Sequence, residues 1–147
     1  MITAQLQTIL TNCGCTLVLY ESDKLANLIT DLSNQNDIIG LVVQLNDITL
    51  EVKGNAIQEH YNPLYIEVMK QVRLEDTAAT NELVLQALLD ICKCIIKELI
   101  LLAEFKTIQS VHCVKITETK YDANVLGWSI KLDLTYLNNE PCIITSP

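Results

Sequence analysis

Cysteines are the residues of this chain that come closest to a chemical site. Six are present, and five fall in short clusters: Cys13-Gly14-Cys15, Cys92-Lys93-Cys94 and His112-Cys113, with Cys142 standing apart. A structural zinc site needs four ligands converging on a tetrahedron, usually from C-x2-C turns that aim both sulfurs at the metal. C-x-C lacks that turn, and on a helix Cys92 and Cys94 stand about 200° apart around the axis, too far to share one ion. The spacing favours thiols packed in a core as small apolar residues; a cysteine-based metal or redox protein is the lesser alternative. The opening MITAQLQTIL has neither the basic nor the long apolar segment of a secretory signal, so all six thiols are expected to be reduced, in a cytosol.

The other reactive side chains form no recognisable constellation. His60 lies in a polar stretch beside Tyr61 and His112 in a strand pattern, while no G-x-S-x-G setting offers a serine nucleophile. Carboxylates are plentiful, including Glu75-Asp76, Asp122, Asp133 and Glu140, but a two-metal nuclease also needs a basic track for its substrate. That track is missing: Arg73 is the sole arginine, the nine lysines are scattered, and the net charge is −8. Four dispersed glycines make no phosphate loop. No catalytic residue, cofactor or metal ligand is expected. Trp128, on an alternating strand, is expected in the core.

The elements that must position these residues are organised around Thr80 to Phe105, TNELVLQALLDICKCIIKELILLAEF. Its polar residues Glu82, Gln86, Asp90, Lys93, Lys97 and Glu104 trace one narrow stripe, which predicts a helix of roughly 39 Å whose remaining circumference is covered. Either the rest of the chain or a neighbouring subunit must supply that cover, and the second is preferred in so short a chain. The helix is too often interrupted by charge to span a membrane. Thr80 or Asn81 is the expected cap.

Upstream, Ile2, Leu6, Ile9 and Leu10 predict an amphipathic helix over 2–12, ended by Asn12 and Gly14, and Cys15–Tyr20 reads as a strand. A second short helix follows, capped by Ser22 or Asp23 and apolar at Leu25, Leu28, Ile29 and Leu32. Residues 38–74 predict a long two-stranded hairpin, turning at Lys53-Gly54-Asn55, with Gly40 and the Asn46-Asp47 pair as bulges or a bend and Pro63–Leu74 as the returning arm. Its tip, 54–62, is too polar for core, and an isolated ribbon is marginal in water, so the tip is expected to lean on a partner. Downstream, 111–120 and 125–137 form a second hairpin around Tyr121-Asp122-Ala123-Asn124. Leu126, Trp128, Ile130, Leu132, Leu134 and Tyr136 share the core face of its last strand. The expected fold is α+β: a mostly antiparallel sheet of two hairpins plus a short strand, packed by one long helix and two short N-terminal helices. It occupies 1–137 as one domain, followed by an extended tail, 138–147, whose apolar Cys142-Ile143-Ile144 predicts docking.

Three strings in this order, IIGLVVQLND (38–47), PLYIEVMKQVRLED (63–76) and DANVLGWSIKLDLTYL (122–137), resemble the tail-terminator and neck ring proteins of tailed bacteriophages, and among these the neck rings of crAss-like phages. The resemblance implies a tail-terminator-like fold and a structural virion protein of the neck, made in the host bacterial cytoplasm. It implies a sixfold or twelvefold homo-oligomeric ring between portal and tail, touching adjacent portal, neck or tail proteins. DNA would pass through an acidic lumen without specific binding. The expected contact residues are Gly54, Asn55, His60, Tyr61 and Pro63 at the hairpin tip, and Cys142, Ile143 and Ile144 in the tail. The alternative is a small cytosolic adaptor with no enzymatic activity.

Overall fold

In the computed structural model the described residues are 2–20, 34, 36–43, 48–73, 75–102, 111–116, 119–120 and 123–138. The elements are α1 (Thr3–Asn12), β1 (Leu17–Tyr20), β2 (Ile39–Val43), β3 (Thr49–Lys53), β4 (Ala56–Gln71), α2 (Ala78–Leu101), β5 (His112–Ile116), β6 (Thr119–Lys120) and β7 (Ala123–Asn138). This is the expected α+β fold. The expected second short helix, with Leu25, Leu28, Ile29 and Leu32, falls outside the described residues, as do Asn46-Asp47 and residues 139–147 of the tail.

Two 16-residue strands, β4 and β7, form the spine of the sheet and pair antiparallel along almost their whole length. The order is β1-β2-β4-β7-β5, with β3 continuing along β4 beyond the end of β2 and β6 folding back on β7. The predicted long hairpin is thus present, but its first arm is divided into β2 and β3. Its second arm begins at Ala56 and not at Pro63, so the tip is paired strand where the sequence suggested loop. Gly40 is no bulge: it pairs in regular register with Val68. The irregularity lies between Tyr61 and Leu64, where Asn62 and Pro63 stand opposite the single residue Asp133. Proline cannot donate to the ladder, which makes such a bulge its natural place in a strand. In the second hairpin Lys120 pairs with Ala123, so Ala123 and Asn124 belong to β7 and not to the turn. Asn138 likewise closes β7 and does not open the tail. β1 runs parallel to β2, the one departure from antiparallel pairing.

Side-chain alternation divides the core into two layers. On one face Leu64, Ile66 and Val68 of β4 and Ile130, Leu132, Leu134 and Tyr136 of β7 meet Leu6, Ile9 and Leu10 of α1 and Leu88, Cys92, Ile95 and Leu99 of α2. On the other, Leu19, Ile39, Leu41, Met69, Ile116 and Val125 form a smaller cluster. Burial on both sides is why the middle of β4 reads as nearly continuous apolar sequence.

The long helix starts at Ala78, earlier than expected, because Thr77 and neither Thr80 nor Asn81 is its cap; the Thr77 side chain accepts a hydrogen bond from the Thr80 backbone N–H. It ends at Leu101, short of Phe105. Its buried stripe is Leu85, Leu88, Cys92, Ile95 and Leu99, a strict three-and-four spacing. Part of its circumference is left uncovered by the described residues: Leu83 is 74% and Leu101 76% exposed, and Ile100 is exposed as well. Trp128 lies over the first half of this helix, and its indole N–H donates to the Leu85 carbonyl at 2.9 Å.

The cysteines correct the expectation of six reduced thiols. Cys13 and Cys94 form a disulfide, with 5.7 Å between their Cα atoms. Helical geometry explains the choice of partner. Cys92 and Cys94 face opposite sides of α2, so Cys92 enters the sheet-facing core while Cys94 meets the end of α1. Cys13 terminates α1, Gly14 turns the chain, and Cys15 is buried as a free thiol. A reducing compartment says nothing about which two sulfurs a fold brings together.

Candidate interaction site: the distal arm

Beyond the bulge, β3, the first residues of β4 and the last of β7 form a three-stranded arm. Its tip is a two-residue turn, Gly54-Asn55, between the paired Lys53 and Ala56. Gly54 has φ of 61°, the left-handed conformation that a tight hairpin turn requires and that glycine adopts without steric cost. Two-residue turns fix register, so Thr49 stands opposite His60, Leu50 opposite Glu59, Glu51 opposite Gln58 and Val52 opposite Ile57.

One face of the arm is polar and carries a cross-strand relay. His60 Nε2 lies 2.7 Å from Glu51 Oε2, and His60 Nδ1 lies 2.9 Å from Thr135 Oγ1 on β7. A carboxylate can only accept, so in the neutral imidazole the Nε2–H donates to Glu51 and Nδ1 accepts from the threonine hydroxyl. The hydrogen bond from His60 is the main cause holding the Glu51 carboxyl below its usual range, with help from the Lys53 ammonium at 3.6 Å. Hydroxyl, imidazole and carboxylate in this order also describe a nucleophilic relay. Acyl-transfer catalysis further requires converging oxyanion donors and a concave substrate site. Here the relay lies across a pleated strand surface, and the shallow cleft farther along β7, lined by His112, Lys131, Leu132 and Asp133, includes none of its members. The relay ties β3 to β7 across β4.

The opposite face is apolar, and it continues the face that forms the helix-covered core. Near the body it holds Tyr61, Leu134 and Tyr136, all buried. Tyr61 donates its hydroxyl to Glu59 at 2.8 Å; burial first, then that carboxylate, pushes the Tyr61 phenol up. The hydroxyl of Tyr136 accepts from Gln5 of α1 at 3.0 Å. Farther out the described helices stop and the apolar residues do not. Leu50 is 61% and Val52 70% exposed, flanked by exposed Ile48 and Ile57. Leu50, Val52 and Ile57 share this face, with Glu59 opposite Leu50 among them.

The structure therefore distributes the expected contact residues unevenly. Gly54 and Asn55 form the exposed tip, and His60 lies part-buried in the relay. Tyr61 turns into the core and Pro63 sits at the bulge, while Cys142, Ile143 and Ile144 lie outside the described residues. Sequence reasoning missed Ile48, Leu50, Val52 and Ile57. Once the turn is placed at Gly54-Asn55, the register alone puts Leu50, Val52 and Ile57 on one face; the abundance of polar residues between them concealed the pattern.

Away from the arm, the free thiols Cys15 and Cys92 are buried and Cys113 is half-buried. Burial pushes Cys15 up to about 11. Cys92 rises to about 12, chiefly by burial and further by the proximity of Cys113 and Cys15. No group of three or more metal-binding side chains occurs among the described residues. None of their helices is long and apolar enough to cross a membrane. Compared with protein-family models and with curated proteins, the chain matches none.

Proposed function

We propose that this chain is a non-catalytic structural subunit that assembles with further copies of itself through the apolar face of its arm. The observation that carries the proposal is the exposure of Leu50 and Val52 on a face that is core only a few residues away. A monomer gains nothing by extending an apolar core face past its own helices, whereas a neighbouring subunit can complete that layer. The uncovered Leu83, Ile100 and Leu101 of α2 are apolar surface against which such a neighbour can pack. A contact between two different patches is heterologous, and heterologous contacts that close make rings.

The three strings that resemble tail-terminator and neck ring proteins direct this reading to the head–tail junction of a tailed phage. There the ring would join portal to tail in the virion, with a net charge of −8 disfavouring adsorption of passing DNA.

Native mass across a concentration series tests the proposal. The expected result is a closed oligomer, formed alone or on mixing with a neck partner, and a monomer for L50K/V52K with an unchanged circular dichroism spectrum. A wild-type chain that stays monomeric at every concentration and with every candidate neck partner would overturn it. An adaptor would give a monomer or dimer, with no higher ring.

A further inference from the structure

The two C-x-C pairs are arranged as one device. Each sends one sulfur into the disulfide and one into the core: Cys13 and Cys94 bond to each other, while Cys15 and Cys92 stay free and buried. The bond joins the C-terminal end of α1 to the middle of α2, positions 81 residues apart in the chain. On the sheet side α1 is held without it, since Leu6, Ile9 and Leu10 are buried against strands and helix. The covalent tie thus adds a second attachment to a helix that already has one. Of the two bonded cysteines Cys94 is the partly exposed one, and Cys13 is buried.

We propose that Cys13–Cys94 is a reversible redox staple, opened by low-molecular-weight thiols such as glutathione and closed by their disulfides, that sets how firmly α1 is held on α2. In the opening direction a thiolate attacks Cys94 Sγ, forming a mixed disulfide and releasing the Cys13 thiolate. A second thiolate attacks the outer sulfur of the mixed disulfide, releasing the Cys94 thiolate and the oxidised reagent; both cysteine sulfurs then take protons from water. Two electrons enter the protein and two molecules of thiol become one disulfide. Closure is the reverse, with the low-molecular-weight disulfide as oxidant. Cys15 and Cys92 are buried, and burial keeps both thiols protonated, so neither competes for the exchange.

The test uses the wild-type chain equilibrated in millimolar oxidised or reduced glutathione, with differential alkylation, peptide mapping and thermal unfolding. In the oxidised buffer the peptides bearing Cys13 and Cys94 should be linked. In the reduced buffer Cys94 should be alkylated in the native protein, and Cys13, Cys15 and Cys92 after denaturation. Because the bond closes a long loop in the unfolded chain, reduction should lower Tm by about 10 °C with an unchanged circular dichroism spectrum. The C13S/C94S variant should show one Tm in both buffers. Alkylation of Cys13 and Cys94 in both buffers, or a wild-type Tm that follows the buffer no more than the variant does, overturns the proposal.

Discussion

The middle of the sheet and its arm are built from the same two strands, yet they differ in what surrounds them. Around Ile66, Val68 and Met69 both faces of β4 are covered, and all three side chains are inaccessible to solvent. Some ten residues earlier along the same strand, Ile57 is 49% exposed. Strand-forming residues and ladder hydrogen bonds are common to both regions, so these do not distinguish them. The difference is that the described helices lie over the body and not over the arm. An apolar residue on this sheet is shielded in the body and meets solvent on the arm.

Substitutions can break this contrast, beginning with the largest effect. A Cβ at Gly127 would collide with the Val68 carbonyl and the Met69 backbone, where nothing flexible can yield. Gly127→Ala should therefore cost at least about 3 kcal/mol in urea unfolding, or prevent folding. Ile66→Ala empties a fully buried position and should cost about 3 kcal/mol. The paired experiment on the arm, Val52→Ala, should change subunit stability by less than about 0.5 kcal/mol while weakening assembly in native mass measurements. Equal losses of stability at the two sites would show that the arm is not the separate region described. Trp128→Phe keeps the ring but removes the bond to the Leu85 carbonyl, and should cost about 1 kcal/mol.

The smallest effect sharpens the contrast through pH. The Glu51 carboxyl is held below its usual range in the folded arm, chiefly by the hydrogen bond from His60. A lowered folded pKa means that the stabilisation is present above the ordinary carboxylate pKa and is lost as pH falls through the lowered value. Amide exchange across β3 should thus show weakened protection on acidification below the usual glutamate range, corrected for intrinsic exchange, and Glu51→Gln should remove that dependence. The core strands should not follow it.

Much of the fold was legible because period and turn chemistry act locally. Ile2, Leu6, Ile9 and Leu10 mark α1, the alternation from Leu126 to Tyr136 marks β7, and Lys53-Gly54-Asn55 marks the tip, all within a residue or two of their observed places. The first hairpin arm is divided into β2 and β3 on either side of Asn46-Asp47, the pair that marked a bulge or bend in the sequence. The features missed are those set at a distance. Thr77 caps α2 from outside the apolar run that signals the helix. The relay from Glu51 through His60 to Thr135 needs the β4–β7 register, fixed by a pairing some 75 residues apart in sequence. The disulfide is of the same kind. Helical geometry excluded a shared ion for Cys92 and Cys94, yet only the packing of α1 against α2 selects Cys13 as the partner of Cys94.

The long β4–β7 pair also has a mechanical meaning. Each strand, at about 3.3 Å per residue, reaches roughly 50 Å, so one ladder passes from the buried body into the arm without a loop between them. A pull on the arm along the strand axis loads those cross-strand bonds together in shear, and they cannot be opened one after another as in the peeling of a short hairpin. The bulge at Asn62-Pro63 is the single interruption in that ladder. It is therefore where an applied force would bend the subunit, and the rest of the pair would transmit the load as a stiff beam.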